Sequence, residues 1–172
     1  MTPTTRGTHT HTPDKNLMAE SPKYTVLVVD DEELVRNLIV TLLSKSGHSS
    51  ITAVDGVDAL DRMKGNQIDA VITDIKMPNM DGVALTVEIL KRYPGLPVLV
   101  MTAFGEEYTA GAAIAAGARE YIRKPFSPDE FFAQLQKMIK DSETIKRLKS
   151  EKIGDENVQD LMDELKATIK EN

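Results

Sequence analysis

The fold of this chain is decided by one stretch, 70-AVITDIKMPNMDG-82. Its apolar and β-branched run leads directly into Asp74, and a loop with proline and glycine follows. Such a run is typical of a strand that is buried on both faces, as in a parallel sheet. Asp74 would then end the strand at the carboxyl edge, where open α/β sheets bind their ligands. A carboxylate there can be a nucleophile, a metal ligand or a helix cap.

Composition excludes several classes of protein. The chain has 172 residues, 41% of them hydrophobic, which suffices for one domain with extensions. It has no cysteine, so disulfides and thiolate metal sites are excluded. No apolar run reaches about 18 residues and no secretory signal core is present, so we expect a cytoplasmic protein without a membrane partner. The net charge of −6 argues against direct binding to nucleic acid.

Four further strands are predicted around this stretch, at residues 24–29, 50–53, 98–101 and 120–123. Apolar residues at helical spacing lie between them, and Asp55 is predicted to cap the second helix. The last helix begins with a capping box at residues 127–130. Five strands that alternate with five helices predict an α/β domain with a doubly wound parallel sheet covered on both faces.

Polar residues stand at the carboxyl ends of these strands. They are Asp30 and Asp31 after the first strand, Asp74 at the third, Thr102 at the fourth and Lys124 after the fifth. Converging aspartates repel one another, and a hard divalent cation such as Mg²⁺ would relieve that repulsion. With an ammonium and a hydroxyl group they would form a pocket for a phosphoryl group on an aspartate. Any one of the five alone is better explained as a cap or an ion pair.

Over residues 24–140, the chain resembles the receiver domain of two-component response regulators, the CheY-like family. The matching motifs are Asp30-Asp31, Asp74 with Met77-Pro78 and Asp81-Gly82, Thr102-Ala103, and Lys124-Pro125-Phe126. The resemblance implies a flavodoxin-like sheet with strand order 2-1-3-4-5. It also implies a regulatory phosphoprotein, which catalyses only its own phosphorylation and dephosphorylation.

The resemblance implies a phosphoacceptor and a metal site. Asp74 would accept a phosphoryl group from a sensor histidine kinase or a phosphotransfer protein. Mg²⁺ would be held by Asp31, Asp74 and the backbone carbonyl of Lys76, with Asp30 assisting through water.

The remaining matched residues are implied to bind the phosphoryl group or to respond to it. Thr102, Ala103 and Lys124 would contact its oxygens, and small Ala103 leaves room for the donor. Thr102 and Tyr121 are implied as a switch that changes the face formed by the fourth helix, the fifth strand and the fifth helix. The bond between Lys124 and Pro125 is implied to be cis. The alanine-rich fourth helix, at about residues 106–116, is expected to be loosely held.

Two segments flank the predicted receiver domain, which we place at residues 23–140. Residues 1–22 are rich in threonine, proline and charge, and we expect a disordered tail. Residues 141–172 are expected to be a helical extension or linker, with a candidate break at Gly154-Asp155 and an apolar stripe at Val158, Leu161, Met162, Leu165 and Ile169. A homodimer through this extension, or through the switching face, is one expected use.

Three alternatives share parts of the pattern. A phosphatase of the haloacid dehalogenase type would also use Asp, Thr, Lys and Mg²⁺, but its Asp-x-Asp motif follows the first strand, where this chain has adjacent aspartates. A flavin-binding module of similar topology would need a Ser/Thr/Gly-rich loop after the first strand. A receiver that acts purely as a scaffold through its terminal helix is the third alternative.

Overall fold

A five-stranded parallel sheet forms the centre of the protein. The computed structural model describes residues 22–103, 105 and 107–170, with the side chains of 107–109 and 152–170 outside that description. The strands are β1 (Thr25–Val29), β2 (Ser49–Ala53), β3 (Ala70–Asp74), β4 (Val98–Thr102) and β5 (Glu120–Arg123). They lie in the order β2-β1-β3-β4-β5, and every neighbouring pair is parallel. The predicted strand order is confirmed.

Five helices cover the sheet: α1 (Glu33–Lys45), α2 (Gly56–Met63), α3 (Gly82–Arg92), α4 (Glu107–Ala115) and α5 (Pro128–Lys170). Successive strand residues point to opposite faces, so each inner strand contributes to two cores. On one face, Val28 and Ile72 pack with α1 and α5 residues such as Leu43 and Phe131. On the other face, strand residues such as Val71 pack with residues from α2, α3 and α4. This double burial explains why β3 and β4 are buried throughout.

The two predicted caps are present. The carboxylate of Asp55 accepts a hydrogen bond from the backbone N–H of Asp58 at the start of α2 (2.8 Å). At the start of α5, the N–H of Ser127 donates to the Glu130 carboxylate (2.7 Å) and the N–H of Glu130 donates to the Ser127 hydroxyl (3.2 Å). Both caps satisfy N–H groups that a helix cannot pair internally.

The last helix differs from the prediction, because α5 runs without a break from Pro128 to Lys170. A glycine in a helix interior costs only about 1 kcal/mol relative to alanine, and helix formers on both sides of Gly154, such as Lys152 and Glu156, outweigh it. The side chains of the predicted stripe and residues 1–21 of the predicted tail lie outside the description. The limits of the domain at residues 23 and 140 stay predictions. Among the described helices, none combines the length and hydropathy needed to span a membrane.

Candidate functional site

The carboxyl edge of the sheet brings the predicted site residues together. Asp30 follows β1, Asp74 ends β3, Thr102 ends β4 and Lys124 follows β5. The N–H of Asp30 donates to the carbonyl of Ala53 (3.2 Å), and the N–H of Lys124 donates to the carbonyl of Thr102 (2.7 Å). These backbone bonds extend the strand pairing by one residue, and they place side chains from distant parts of the sequence at one rim.

Three carboxylates at this rim form an acidic cluster of Asp30, Asp31 and Asp74. One oxygen of each residue lies within 4.8 Å of the other two. Asp30 and Asp74 are buried, whereas Asp31 is exposed. Three oxygen donors at this spacing, open to solvent on one side, fit a hard divalent cation that keeps some of its waters.

The ammonium group of Lys124 contacts two of these carboxylates. Its Nζ atom lies 3.0 Å from Oδ1 of Asp74 and 3.3 Å from Oδ2 of Asp30. The other oxygen of Asp30, Oδ1, accepts a hydrogen bond from the N–H of Glu32 (2.9 Å). The peptide bond between Lys124 and Pro125 is cis. The Lys124 ammonium group therefore lies between two of the three carboxylates of the acidic cluster.

The pKa values of Asp74 and Lys124 are shifted by burial and by the charges around them. Burial raises the pKa of the Asp74 carboxyl above its ordinary value; Lys124 opposes that rise, and Asp30 adds to it. Burial acts to lower the pKa of the Lys124 ammonium, but hydrogen bonding and the charges of Asp74 and Asp30 outweigh it, and the pKa is raised. Burial thus destabilises the charged form of Asp74, and a bound cation or a covalent modification would relieve that effect.

The two predicted switch residues line one cavity of about 280 Å³. Thr102 is buried, and Tyr121 is 45% exposed on β5. The other lining residues come from α4 and from the ends of β4 and β5: Ala103, Ala110, Gly111, Ile114 and Arg123. Thr102 and Tyr121 therefore border the same cavity, and their role as a switch stays a prediction.

Lys76 lies in the loop between β3 and α3, two residues after Asp74, and its side chain is exposed.

Two close contacts around the loop between β3 and α3 were not predicted. The N–H of Gly82 donates to the carbonyl of Ile75 (2.8 Å), and a Cβ atom at Gly82 would lie 2.1 Å from the carbonyl oxygen of Asp74. The glycine after Asp81 was a signal for such a close approach, since only glycine lacks the clashing atom.

Two side-chain contacts near the site were also missed. Nη1 of Arg36 donates to the carbonyl of Asp30 (2.6 Å), and Nδ2 of Asn79 donates to Oδ2 of Asp55 (2.7 Å). Neither contact has a motif in the sequence. Asn79 is separated from its partner by 24 residues, so only the folded arrangement of two loops brings the pair together.

The model of the response regulator receiver domain family matches residues 26–136. The chain belongs to this family. The match decides against the phosphatase and flavin alternatives. Receiver domains are the regulatory input modules of two-component response regulators, and the fold and the strand order agree with that assignment.

The receiver domain has relatives among curated proteins and solved structures. It is 35% identical over 118 residues to the alkaline phosphatase synthesis transcriptional regulatory protein PhoP of Bacillus subtilis, which covers 69% of this chain and 49% of that protein. The receiver domain of NtrX from Brucella abortus has a TM-score of 0.65 and 37% identity, covering 67% of this chain and 98% of that one. A receiver domain protein from Clostridium thermocellum has a TM-score of 0.67 and 32% identity, covering 71% and 98%. The chain spans about half the length of the curated relatives it matches.

Proposed function

We propose that this receiver domain accepts a phosphoryl group on Asp74 from a phosphohistidine of a sensor histidine kinase or a phosphotransfer protein. The observation that carries the proposal is the contact of the Lys124 ammonium with Asp74 inside the acidic cluster. A carboxylate that only capped a helix would need neither a partly buried lysine nor two further acids. A site for a transferring phosphoryl group uses both, because the lysine offsets the charge that develops on the phosphoryl oxygens and the acids would hold a divalent cation that does the same.

In the proposed transfer, a carboxylate oxygen of Asp74 attacks phosphorus. The new oxygen–phosphorus bond forms as the bond between phosphorus and the donor histidine nitrogen breaks. The electron pair stays on that nitrogen, which takes up a proton, and the acceptor becomes an aspartyl phosphate. Hydrolysis by water returns the free carboxylate, so the domain would catalyse only its own phosphorylation and dephosphorylation.

The remaining site residues would serve the phosphoryl group. The Lys124 ammonium would offset charge on its oxygens, and the Thr102 hydroxyl would donate a hydrogen bond to one of them. The methyl side chain of Ala103 would leave the approach open for the donor. These roles follow from the chemistry of each group and from its position at the carboxyl edge.

The acidic cluster would hold Mg²⁺ through Asp31 and Asp74 and the backbone carbonyl of Lys76, with Asp30 assisting through water. The donor set consists of oxygen atoms alone, which suits Mg²⁺ better than softer metals. When bound, the ion would neutralise charge on the phosphoryl oxygens.

An exposed apolar pair on α1 supports docking of the donor protein beside the site. Leu34 is 84% exposed and Leu38 is 49% exposed, and their spacing of four residues puts them on one side of the helix. Leu34 follows the acidic pair Asp30-Asp31 by a few residues, so a helix packed on it would bring its histidine near Asp74. Dimerisation through α4, β5 and α5, or through the α5 extension, stays a prediction.

The test is the intact mass of the protein after treatment with acetyl phosphate and Mg²⁺. The wild type should gain the mass of one phosphoryl group, and Asp74→Asn should gain none. Asp81→Asn is the matched control, because Asp81 lies in the same loop and only caps α3. Equal labelling of the wild type and Asp74→Asn would contradict the proposal, and no labelling of the wild type would favour the scaffold alternative.

A further inference from the structure

We propose that Asp55 and Asn79 form a clasp that positions the loop at residues 75–81, and with it the Lys76 carbonyl, for metal binding. The inference rests on the proposed function, because it assigns positioning residues to the same metal site. Neither residue belongs to the acidic cluster, and neither was predicted for this role.

One carboxylate joins two elements in this clasp. Oδ2 of Asp55 accepts a hydrogen bond from Nδ2 of Asn79 (2.7 Å), while Oδ1 accepts from the N–H of Asp58 (2.8 Å) and caps α2. Asp55 is buried. The bond from the Asp58 N–H and then that from the Asn79 amide hold the pKa of Asp55 below its ordinary value, so the carboxylate stays charged and remains a strong acceptor.

The backbone at Asn79 adopts a conformation that few residues other than glycine adopt. Its φ angle is +64°, and within the described part of the chain no other non-glycine residue has a positive φ. Asparagine tolerates this left-handed region better than most residues, yet it adopts it mainly where surrounding contacts stabilise it. Here the contact is the hydrogen bond to Asp55.

Two backbone contacts hold the same loop at its neighbours. The N–H of Gly56, at the start of α2, donates to the carbonyl of Met80 (3.3 Å), and a Cβ atom at Gly56 would lie 2.6 Å from the Met80 side chain. At the end of the loop next to α3, the N–H of Gly82 donates to the Ile75 carbonyl, and Gly82 packs closely against the Asp74 carbonyl. The Asn79–Asp55 hydrogen bond and the Gly56–Met80 bond together attach the second half of the loop to the start of α2, so loss of the clasp would give the segment that contains Lys76 more freedom.

A backbone carbonyl can bind a metal ion only when it points at the site. Groups that orient a ligand without touching the metal commonly change metal affinity by about 10-fold or more. If the clasp has this role, its loss should weaken Mg²⁺ binding. If Asp55 and Asn79 serve the fold alone, their loss should lower stability and leave Mg²⁺ affinity unchanged.

Asn79→Gly is the decisive variant, because glycine accepts the positive φ while the side chain that donates to Asp55 is removed. Isothermal titration should show a Mg²⁺ dissociation constant raised by about 10-fold. In the metal-free protein, amide exchange of residues 76–81 should become faster. Asn66→Ala is the matched control: it removes an asparagine hydrogen bond to the Arg62 carbonyl after α2 (2.8 Å) and should leave both readouts unchanged.

Exchanging the two partners tests whether the hydrogen bond itself matters. Asp55→Asn and Asn79→Asp should each weaken Mg²⁺ binding, the second by placing two carboxylates together. The double variant Asp55→Asn/Asn79→Asp restores an amide opposite a carboxylate and should recover affinity to within about 3-fold of the wild type, since coupled residues are not additive. Recovery is a result that a purely structural role does not explain.

The outcomes separate the clasp from the proposed function. If the wild type binds Mg²⁺ and Asn79→Gly binds it with the same affinity, the clasp is overturned and the proposed function is not. Equal weakening in Asn79→Gly and Asn66→Ala, or a double variant that fails to recover, also overturns it. A wild-type protein that neither binds Mg²⁺ nor accepts a phosphoryl group overturns the proposed function, and the clasp with it.

Discussion

Nζ of Lys124 lies 3.0 Å from Oδ1 of Asp74, although the two residues come from strands that β4 separates. The same ammonium group lies 3.3 Å from Oδ2 of Asp30, which is fully buried. A single cation thus compensates two carboxylates that have little access to water. Removing it leaves both of them without a counter-charge, which is more costly than the loss of an exposed ion pair.

The Lys124→Met variant should therefore be less stable than the wild type when no metal is bound. We expect a loss of about 3 kcal/mol in the free energy of unfolding, measured with urea in the presence of a chelator. Lys137→Met is the matched control, because Lys137 forms an ion pair with Glu120 (2.6 Å) but is 60% exposed. Such surface pairs contribute at most about 1 kcal/mol. Equal losses in the two variants would contradict the compensating role of Lys124.

The Asp74→Asn variant should be more stable than the metal-free wild type, and its advantage should depend on pH. Burial, partly opposed by Lys124, raises the pKa of Asp74 in the folded state above its ordinary value of 3.8. Protonation therefore favours folding: this contribution is complete below the unfolded pKa and is lost as the pH rises through the folded pKa. Urea unfolding followed from about pH 7 down to about pH 4 should show the advantage shrinking in acid. If the stability advantage of Asp74→Asn grew as the pH fell, the pKa of Asp74 would be lowered, not raised, in the folded state.

The convergence of the site was predictable from the sequence, because strand topology determines it. Asp30 and Asp74 each stand at the end of an apolar run, Lys124 follows the shorter strand at residues 120–123, and parallel strands share one carboxyl edge. The capping residues Asp55 and Ser127 were predictable too, since a cap depends on a few neighbouring residues.

Contacts between loops were not predictable in this way. The hydrogen bond between Asn79 and Asp55 depends on a left-handed backbone and on how two loops meet, and neither has a periodic signal. The uninterrupted α5 at Gly154 was mispredicted for a different reason. A single glycine is a weak local signal, and helix formers on both sides outweighed it.

Mg²⁺ should raise the melting temperature of the wild type, because a ligand that binds only the folded state stabilises it. At 100 times the dissociation constant, the gain is about 2.7 kcal/mol. Asp31→Asn should lose most of this gain while melting normally without metal, because Asp31 is exposed and the variant removes a ligand rather than a packing contact. Glu33→Gln, an exposed acid at the start of α1, is the control. Melting curves with MgCl₂ and with NaCl of equal ionic strength make the comparison, and an undiminished gain in Asp31→Asn would remove it from the site.

Two glycine-to-alanine variants should change stability in opposite directions. Gly82→Ala places a Cβ atom 2.1 Å from the Asp74 carbonyl oxygen, and we expect a loss of about 2–3 kcal/mol as the backbone shifts. Gly111 is an exposed position in α4, and a Cβ atom added there meets nothing within 4 Å. Gly111→Ala should therefore raise the free energy of unfolding by about 0.5–1 kcal/mol. Urea unfolding measures both. If Gly82→Ala were neutral, the close packing of α3 on β3 would be incorrect.

Phosphorylation should change hydrogen exchange in α4 more than elsewhere in the sheet and its covering helices. Thr102 and Tyr121 line the same cavity as Ala110 and Gly111 of α4, so a Thr102 hydroxyl drawn toward Asp74 would open space for the Tyr121 ring and alter what α4 packs against. Small side chains bury little apolar area, and local opening of α4 should require little free energy.

The measurement compares amide exchange of residues 107–115 with and without acetyl phosphate and Mg²⁺. A change of several-fold is expected in the wild type, none in Asp74→Asn, and a reduced one in Thr102→Ala, which keeps the acceptor but lacks the hydroxyl that couples it to the cavity. Exchange that responds equally in Thr102→Ala would mean that the signal reaches α4 by another route. If intact mass shows a phosphorylated protein but exchange of residues 107–115 does not change, the predicted response of α4 is wrong.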